Sequence, residues 1–324
     1  MKVEPICSAK GVTLYAESDS FISFLNSPYV GHRNRTAVDI YPALQEWNSS
    51  IHSPIHGKVI FSKKMKMGAK RKFPSEEFDH AIGIQSDEES NTIVRVLHCK
   101  PVIEIGQQIE TGDLLGTAIR SRYFNYWTGP HAHVDVLEKQ HFQRSTQSFP
   151  LDVVGNVVSS RNSLTTESLT CQVVCVTEDY VIGVSKDTSI ASDGRLFGHS
   201  AHTMKNNLLG IIDAGLPHYK LGGIYANNTL DIGERITGWK TNIGKITLQN
   251  TGISLFSMNN QLGVFLDETP VKGISCFLYS KCQLIKGQIP IHIIPQQYGS
   301  LPRKLQEGDS FTLTFSESNS DVVG

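Results

Sequence analysis

The stretch Thr128-Gly129-Pro130-His131-Ala132-His133-Val134-Asp135-Val136 decides how the first half of this chain is read. Gly-Pro forces a bend and then releases the backbone into extended structure. The residues that follow, from Ala132 to Leu137, are mostly apolar or β-branched and predict a strand. Positions i and i+2 of a strand share a face, so His131 and His133 are expected side by side, able to serve one metal ion or one reaction. Neutral imidazole is a common zinc ligand. Taken alone, the pair reads equally well as two histidines on an exposed strand.

Three further pieces stand upstream in order. Gly31-His32-Arg33-Asn34-Arg35-Thr36-Ala37-Val38-Asp39-Ile40 offers a histidine and a carboxylate near the start of a strand. Ser53-Pro54-Ile55-His56-Gly57-Lys58-Val59-Ile60 is a turn feeding a strand. Val94-Arg95-Val96-Leu97-His98 is a strand ending in histidine, followed by the glycine turns of Gly106 to Gly116. Two histidines and one carboxylate leave a fourth tetrahedral position open, the pattern of a catalytic rather than a structural zinc. The remaining histidines, His98 and His131, are then available to move protons or steady an oxyanion.

On these residues, the region from about Phe21 to Glu138 resembles the lysostaphin-type (LytM-like) zinc metallopeptidases, many of which are peptidoglycan endopeptidases. That family reads His…Asp, Pro-x-x-Gly-x-Val, a strand ending in His, Gly-Gln-x-Val-x-x-Gly-x-x-Ile-Gly, then Gly-Pro-His-x-His. Each element has a counterpart here in the same order, with Ile109 and Leu115 as apolar replacements. The resemblance implies an antiparallel β-sheet domain related to biotinyl and lipoyl barrels. It implies zinc as cofactor, Asp39 and His133 as ligands, and His98 and His131 as catalytic histidines. A peptide or peptidoglycan-like substrate follows from the same resemblance.

One position departs from it. The commonest family spacing sets the first histidine four residues before the aspartate, and Arg35 occupies that place. Arginine stays protonated and cannot bind zinc. His32, seven residues before Asp39, is therefore expected as the ligand, completing the set His32, Asp39, His133. The alternative is a non-catalytic binding or scaffold protein, with a degenerate site in which Arg35 replaces the charge of the metal. The leading expectation is a zinc-dependent endopeptidase acting on peptide bonds, such as those of cell-wall-type peptides, through a metal-activated water.

The rest of the chain adds organisation. Its 324 residues suggest about two domains. A net charge of −1 gives no electrostatic case for nucleic acid or membrane surfaces. No apolar run approaches the ~20 residues of a membrane span, and the sequence leaves the oligomeric state open. The opening residues show no apolar core of a secretory signal, which predicts a cytoplasmic protein unless another route exports it. The expected layout is a metallopeptidase-like domain over residues 1–145, a connecting segment over 146–168 and a β-rich domain of unknown role over 169–324. The fold class is thus mainly β. Within the last region, His202 to Ala214 reads as a possible short helix, and His199 and His202 as surface histidines.

The six cysteines form no Cys-x-x-Cys pair and read as free thiols, with Cys171 and Cys175 on one strand face. Lys64-Met65-Lys66-Met67 resembles the biotin-carrier motif. The glycine turns follow it here instead of preceding it, so it reads as a solvated basic hairpin. Tyr123, Tyr126 and Trp127 precede the His-x-His strand and are candidates to wall a substrate groove, the alternative being that Phe124 and Trp127 pack the end of the barrel.

Overall fold

The computed structural model describes residues 2–43, 45–141, 145–153, 159–161, 166–226, 230–249, 252–301 and 304–317. The chain divides into two units. The first contains 1–24 and 29–153, and the second contains 25–28 and 154–324. Both are built from antiparallel strands.

In the first unit the Gly129-Pro130 bend delivers the chain into β12 (Ala132–Glu138), as expected. Its neighbours are β4 (Ala37–Tyr41) and β8 (Thr92–Leu97). The sheet runs outward from them, through β3 (Phe21–Ser23) on one side and β7 (Phe78–Ser86), β6 (Gly57–Lys66) and β10 (Gln108–Ile109) on the other. Two smaller sheets complete the unit. One pairs β1 (Val3–Ala9) with β2 (Val12–Glu17), and the other sets β11 (Leu114–Ala118) between β5 (Ser50–His52) and β9 (Cys99–Pro101). Gly116 is needed for that last pairing, because a Cβ there would lie 2.0 Å from the Lys100 carbonyl oxygen.

Alternation along the strands separates two chemistries. Val38, Ile82, Ile84, Val94, Val96, Val134 and Val136 are fully buried on one face. Ala132 and Val134 line a narrow cavity there with Tyr15, Ala16 and Ile51. The opposite face carries Asp39, Arg95, His133 and Asp135, with His133 paired to Asp39 on one side and Asp135 to Arg95 on the other. Arg95 Nε donates to Asp135 Oδ1 at 3.0 Å, and Ser148 Oγ donates to Asp135 Oδ2 at 2.7 Å. A buried carboxylate is tolerated when it is paired and hydrogen-bonded in this way.

The first unit reaches Val153. Leu151 N–H donates to Arg35 O, and Ser8 and Asp152 exchange backbone hydrogen bonds. Lys63, Lys64 and Lys66 are exposed on β6, the solvated hairpin expected around Met65.

The second unit buries Leu169, Ile212, Ile224, Phe256, Leu313 and Phe315 in one core, with Trp239 stacked on Phe315 at 4.3 Å. Three expectations are corrected here. The segment from His202 to Ala214 is not helical. It holds the end of the strand Leu196–Thr203, a turn with Asn206 in the left-handed region (φ 63), and most of the strand Leu208–Leu216. Asn tolerates that turn, and the β-branched Ile211-Ile212 favours the strand.

His199 and His202 are not surface residues but are 1% and 3% exposed, with a bulge between Ala201 and His202. Cys171 and Cys175 do not share a face either. A bulge between Val173 and Cys175 shifts the alternation, leaving Cys171 buried and Cys175 half-buried. All six cysteines are free. Among the described residues, no helix is long and apolar enough to cross a membrane.

Candidate metal centre

His32 lies on α1 (Val30–Arg33), a single helical turn entered from the extended Tyr29. Gly31 lets this turn lie close to the sheet. A Cβ there would stand 2.9 Å from Ala37 Cβ and 3.5 Å from the His133 ring. After the turn, Arg35 in the left-handed region (φ 59) redirects the chain into β4 and Asp39. The extra residues between His32 and Asp39 are thus absorbed by a helical turn and a reversal, and the histidine reaches the carboxylate.

His32, Asp39 and His133 converge, as the family spacing alone did not guarantee. His32 Nε2 is 3.2 Å from His133 Nδ1 and 3.2 Å from Asp39 Oδ1, and His133 Nδ1 is 2.9 Å from Asp39 Oδ1. All three residues are buried and form a group able to hold a metal ion. A tetrahedral ion with bonds of 2.0–2.1 Å sets its donors ~3.3 Å apart, close to the edges of this triangle. His32 Nδ1 donates to the Phe24 carbonyl at 2.7 Å, which leaves Nε2 as the bare nitrogen facing the other donors. Such a bond from the second ring nitrogen is the usual support of a metal-binding histidine. The donor set of two nitrogens and one carboxylate oxygen fits zinc.

Burial alone would raise the Asp39 carboxyl. The neighbouring His32 and His131 and a hydrogen bond from His133 outweigh it and hold the group well below the usual carboxylate range. Burial lowers His133, partly opposed by its hydrogen bond to Asp39. Asp39 is therefore a carboxylate and His133 a neutral imidazole at neutral pH, the forms that bind a metal. Arg35 takes no place in the triangle. Its side chain is half-buried, with Nε and Nη1 lacking a hydrogen-bond partner among the described residues.

His131 and His98 flank the donors. His131 Nδ1 donates to Gly129 O at 2.9 Å, and its Nε2 lies 3.7 Å from Asp39 Oδ2. Burial lowers His131 to about 4, against the opposing pull of Asp39. His98 follows β8 in the left-handed region (φ 67). That reversal breaks the strand alternation, and the ring meets His131 at 5.2 Å and His133 at 6.1 Å between centroids. His98 Nδ1 donates to Asp79 Oδ2 at 2.7 Å. Ser121 Oγ donates to the same oxygen at 2.8 Å, and the His80 N–H to Asp79 Oδ1 at 2.7 Å. Burial raises Asp79, but His98 and these hydrogen bonds more than compensate and lower it.

Asp79 and Ser121 escape sequence reasoning, because neither sits in a motif. The pairing of β7 with β8 sets Ala81 against Leu97, which leaves Asp79 just beyond the end of β8, beside His98. Phe124, fully buried, packs on His98 at 4.4 Å and on His131 at 5.2 Å. Tyr123 is partly exposed and stacks on His98 at 5.5 Å and Tyr29 at 4.6 Å, forming a wall. Tyr126 and Trp127 pack edge to face on each other at 4.9 Å, with Tyr126 also meeting Phe73 at 6.5 Å.

Residues 12–153, less than half of the chain, match a family model described as "Domain of unknown function (DUF8155) N-terminal domain". No curated protein matches the chain. Among solved structures the chain is similar to the "NMR solution structure of lysostaphin", at 13% identity over 74% of this chain and 88% of that one, with a TM-score of 0.26.

Proposed function

We propose that the first unit is a zinc-dependent endopeptidase. The observation that carries this reading is the buried His32–Asp39–His133 triangle with two further histidines, His131 and His98, beside it. Zinc bound there supplies a water of lowered pKa and polarises a carbonyl. The remaining work falls to the chain. His131, neutral at pH 7 with its proton fixed on Nδ1 by Gly129 O, offers Nε2 as the base. It takes the proton of the attacking water as the new C–O bond forms. It returns that proton to the amine nitrogen as the C–N bond breaks, leaving a carboxylate and an amine.

His98 has the complementary role. Asp79 fixes its proton on Nδ1 and leaves Nε2 to accept the remaining proton of the attacking oxygen as the product carboxylate forms, from where it passes to solvent. The two histidines thus divide the proton transfers of one hydrolysis. The stacked Tyr29 and Tyr123 bound the side on which a peptide backbone lies.

The proposed substrates are peptides of cell-wall type, glycine-rich or cross-linked. The test is to incubate the zinc-loaded protein with a panel of these and read new termini by mass spectrometry. Cleavage that stops with chelator and returns with zinc supports the reading. Intact peptides at saturating zinc reject it.

A further inference from the structure

We infer that Arg71 is a positioning residue of the proposed active site, holding the Tyr123 ring against His98. The inference rests on the endopeptidase reading above for the chemistry of His98, and every residue it uses belongs to the first unit. Arg71 lies between β6 and β7, in an arm closed at its base by the Met67 N–H, which donates to Glu77 O at 2.8 Å. Its Nε donates to Arg122 O at 2.7 Å, and its Nη2 donates to Tyr123 O at 3.3 Å. One guanidinium therefore grips the two carbonyls that flank the Tyr123 Cα. The planar fork of arginine suits such a pair, and each bond is charge-assisted.

Tyr123 lies between β11 and β12, in a turn outside any strand. The arm reaches this segment through its backbone as well. Glu76 N–H donates to Arg120 O at 2.7 Å, and Arg122 N–H donates to Glu76 O at 2.9 Å. Those backbone bonds stop one residue short of the tyrosine, and Arg71 carries the hold forward to it. Besides Arg71, the Tyr123 carbonyl accepts from Tyr29 Oη, at 3.3 Å, and the Tyr123 N–H donates to Ser121 Oγ, also at 3.3 Å. Both bonds are at the long end of the range, so the guanidinium is the strongest tie at this residue.

Three rings meet at this point. Tyr123 stacks on Tyr29 at 4.6 Å and on His98 at 5.5 Å, with interplanar angles of 26° and 28°. Phe124 packs on the same imidazole at 4.4 Å. His98 is 4% exposed, Phe124 is 1% exposed and Tyr123 is 39% exposed, so Tyr123 is the part of the cover over His98 that meets solvent. Fixing the Tyr123 backbone fixes where its ring lies. That sets both the cover of the imidazole and the wall beside it. Arg71 acts on His98 through this ring. Without the guanidinium, Tyr123 O keeps only the long bond from Tyr29, and the ring leaves His98 more often.

The test labels the full chain with diethylpyrocarbonate, with chelator present, and reads the rate at His98 by mass spectrometry. His98 in Arg71→Ala should react about 10-fold faster than in the wild type, the factor for losing a hydrogen bond to a charged group from the closed state. Tyr123→Ala should match it. Arg71→Lys, whose point charge cannot face both carbonyls in one plane, should fall between. Lys72→Ala removes the neighbouring exposed cation and should keep the wild-type rate. Cys7, buried in β1 of the same unit, should stay equally slow toward a thiol reagent in every variant. In the zinc-loaded chain, on a glycine-rich peptide that it cleaves, Arg71→Ala should raise KM more than it lowers kcat. A wild-type rate at His98 in Arg71→Ala, an equal increase in Lys72→Ala, faster reaction of Cys7 as well, or a loss confined to kcat overturns the inference. Faster labelling of His98 in a chain that cleaves no peptide supports the hold on Tyr123 while the endopeptidase reading falls.

Discussion

His98 Nδ1 and Asp79 Oδ2 are 2.7 Å apart in a buried pair, and the residue that makes this contact has left-handed backbone. A non-glycine residue in that region costs on the order of 1–2 kcal/mol. The hydrogen bonds that Asp79 draws from His98, Ser121 and the His80 N–H offset it. Asp79→Asn should therefore keep zinc and the fold but lose turnover by ~10²-fold or more, because the amide no longer fixes the tautomer or compensates an imidazolium. Metal content and kcat measured on one preparation separate these outcomes. Unchanged kcat would remove Asp79 from the mechanism.

The two histidines of the His-x-His strand should fail differently. His133→Ala removes a donor of the triangle and should lose zinc together with activity. His131→Ala should retain about one zinc per chain while turnover falls by ~10²–10⁴-fold, the range for a missing acid–base group. Full activity of His131→Ala on any cleaved peptide would overturn the assignment of the base.

Arg35 and His32 should differ in the same way. Arg35 is outside the donor triangle, so Arg35→Ala should leave zinc stoichiometry intact. His32→Ala should abolish it. The reverse pattern would show that the first ligand has been misassigned.

Acid should destabilise the second unit in a defined window. Burial lowers His199 to about 4 and His292 to about 3, the latter helped by the neighbouring His199. The unfolded chain takes up protons at these residues below its ordinary value of ~6.5, while the folded chain does not. Stability is thus fully present above ~6.5 and declines as the pH falls toward 4, by up to ~1.4 kcal/mol per pH unit for each histidine. Urea unfolding with chelator present, at steps from pH 7.5 to 4.5, reads the slope, and His199→Leu should make it shallower. A flat profile would contradict the burial of neutral histidines.

The legible part of this protein is local in sequence. Gly129-Pro130 and the period-2 run after it specify β12 and put His131 and His133 on one face, and the register against β4 completes the pair with Asp39. His32 was readable as the nearest histidine that could replace Arg35. What escaped depends on pairing between distant segments. Asp79 has no motif, and only its place in β7 beside β8 makes it a partner of His98. The Arg71–Tyr123 hydrogen bond spans 52 residues. The helix expected over 202–214 failed because a polar turn at Asn206-Asn207 looks like the middle of a helix until its strands are paired. The groove candidates divide. Tyr123 walls the histidines, whereas Tyr126 and Trp127 pack against each other.

The most direct measurement is the metal content of the full chain purified without chelator, set beside that of His133→Ala. The account predicts about one zinc per wild-type chain, with nitrogen and oxygen donors at ~2.0–2.2 Å by X-ray absorption, and none in the variant. A wild-type chain that is metal-free and refuses added zinc would contradict it.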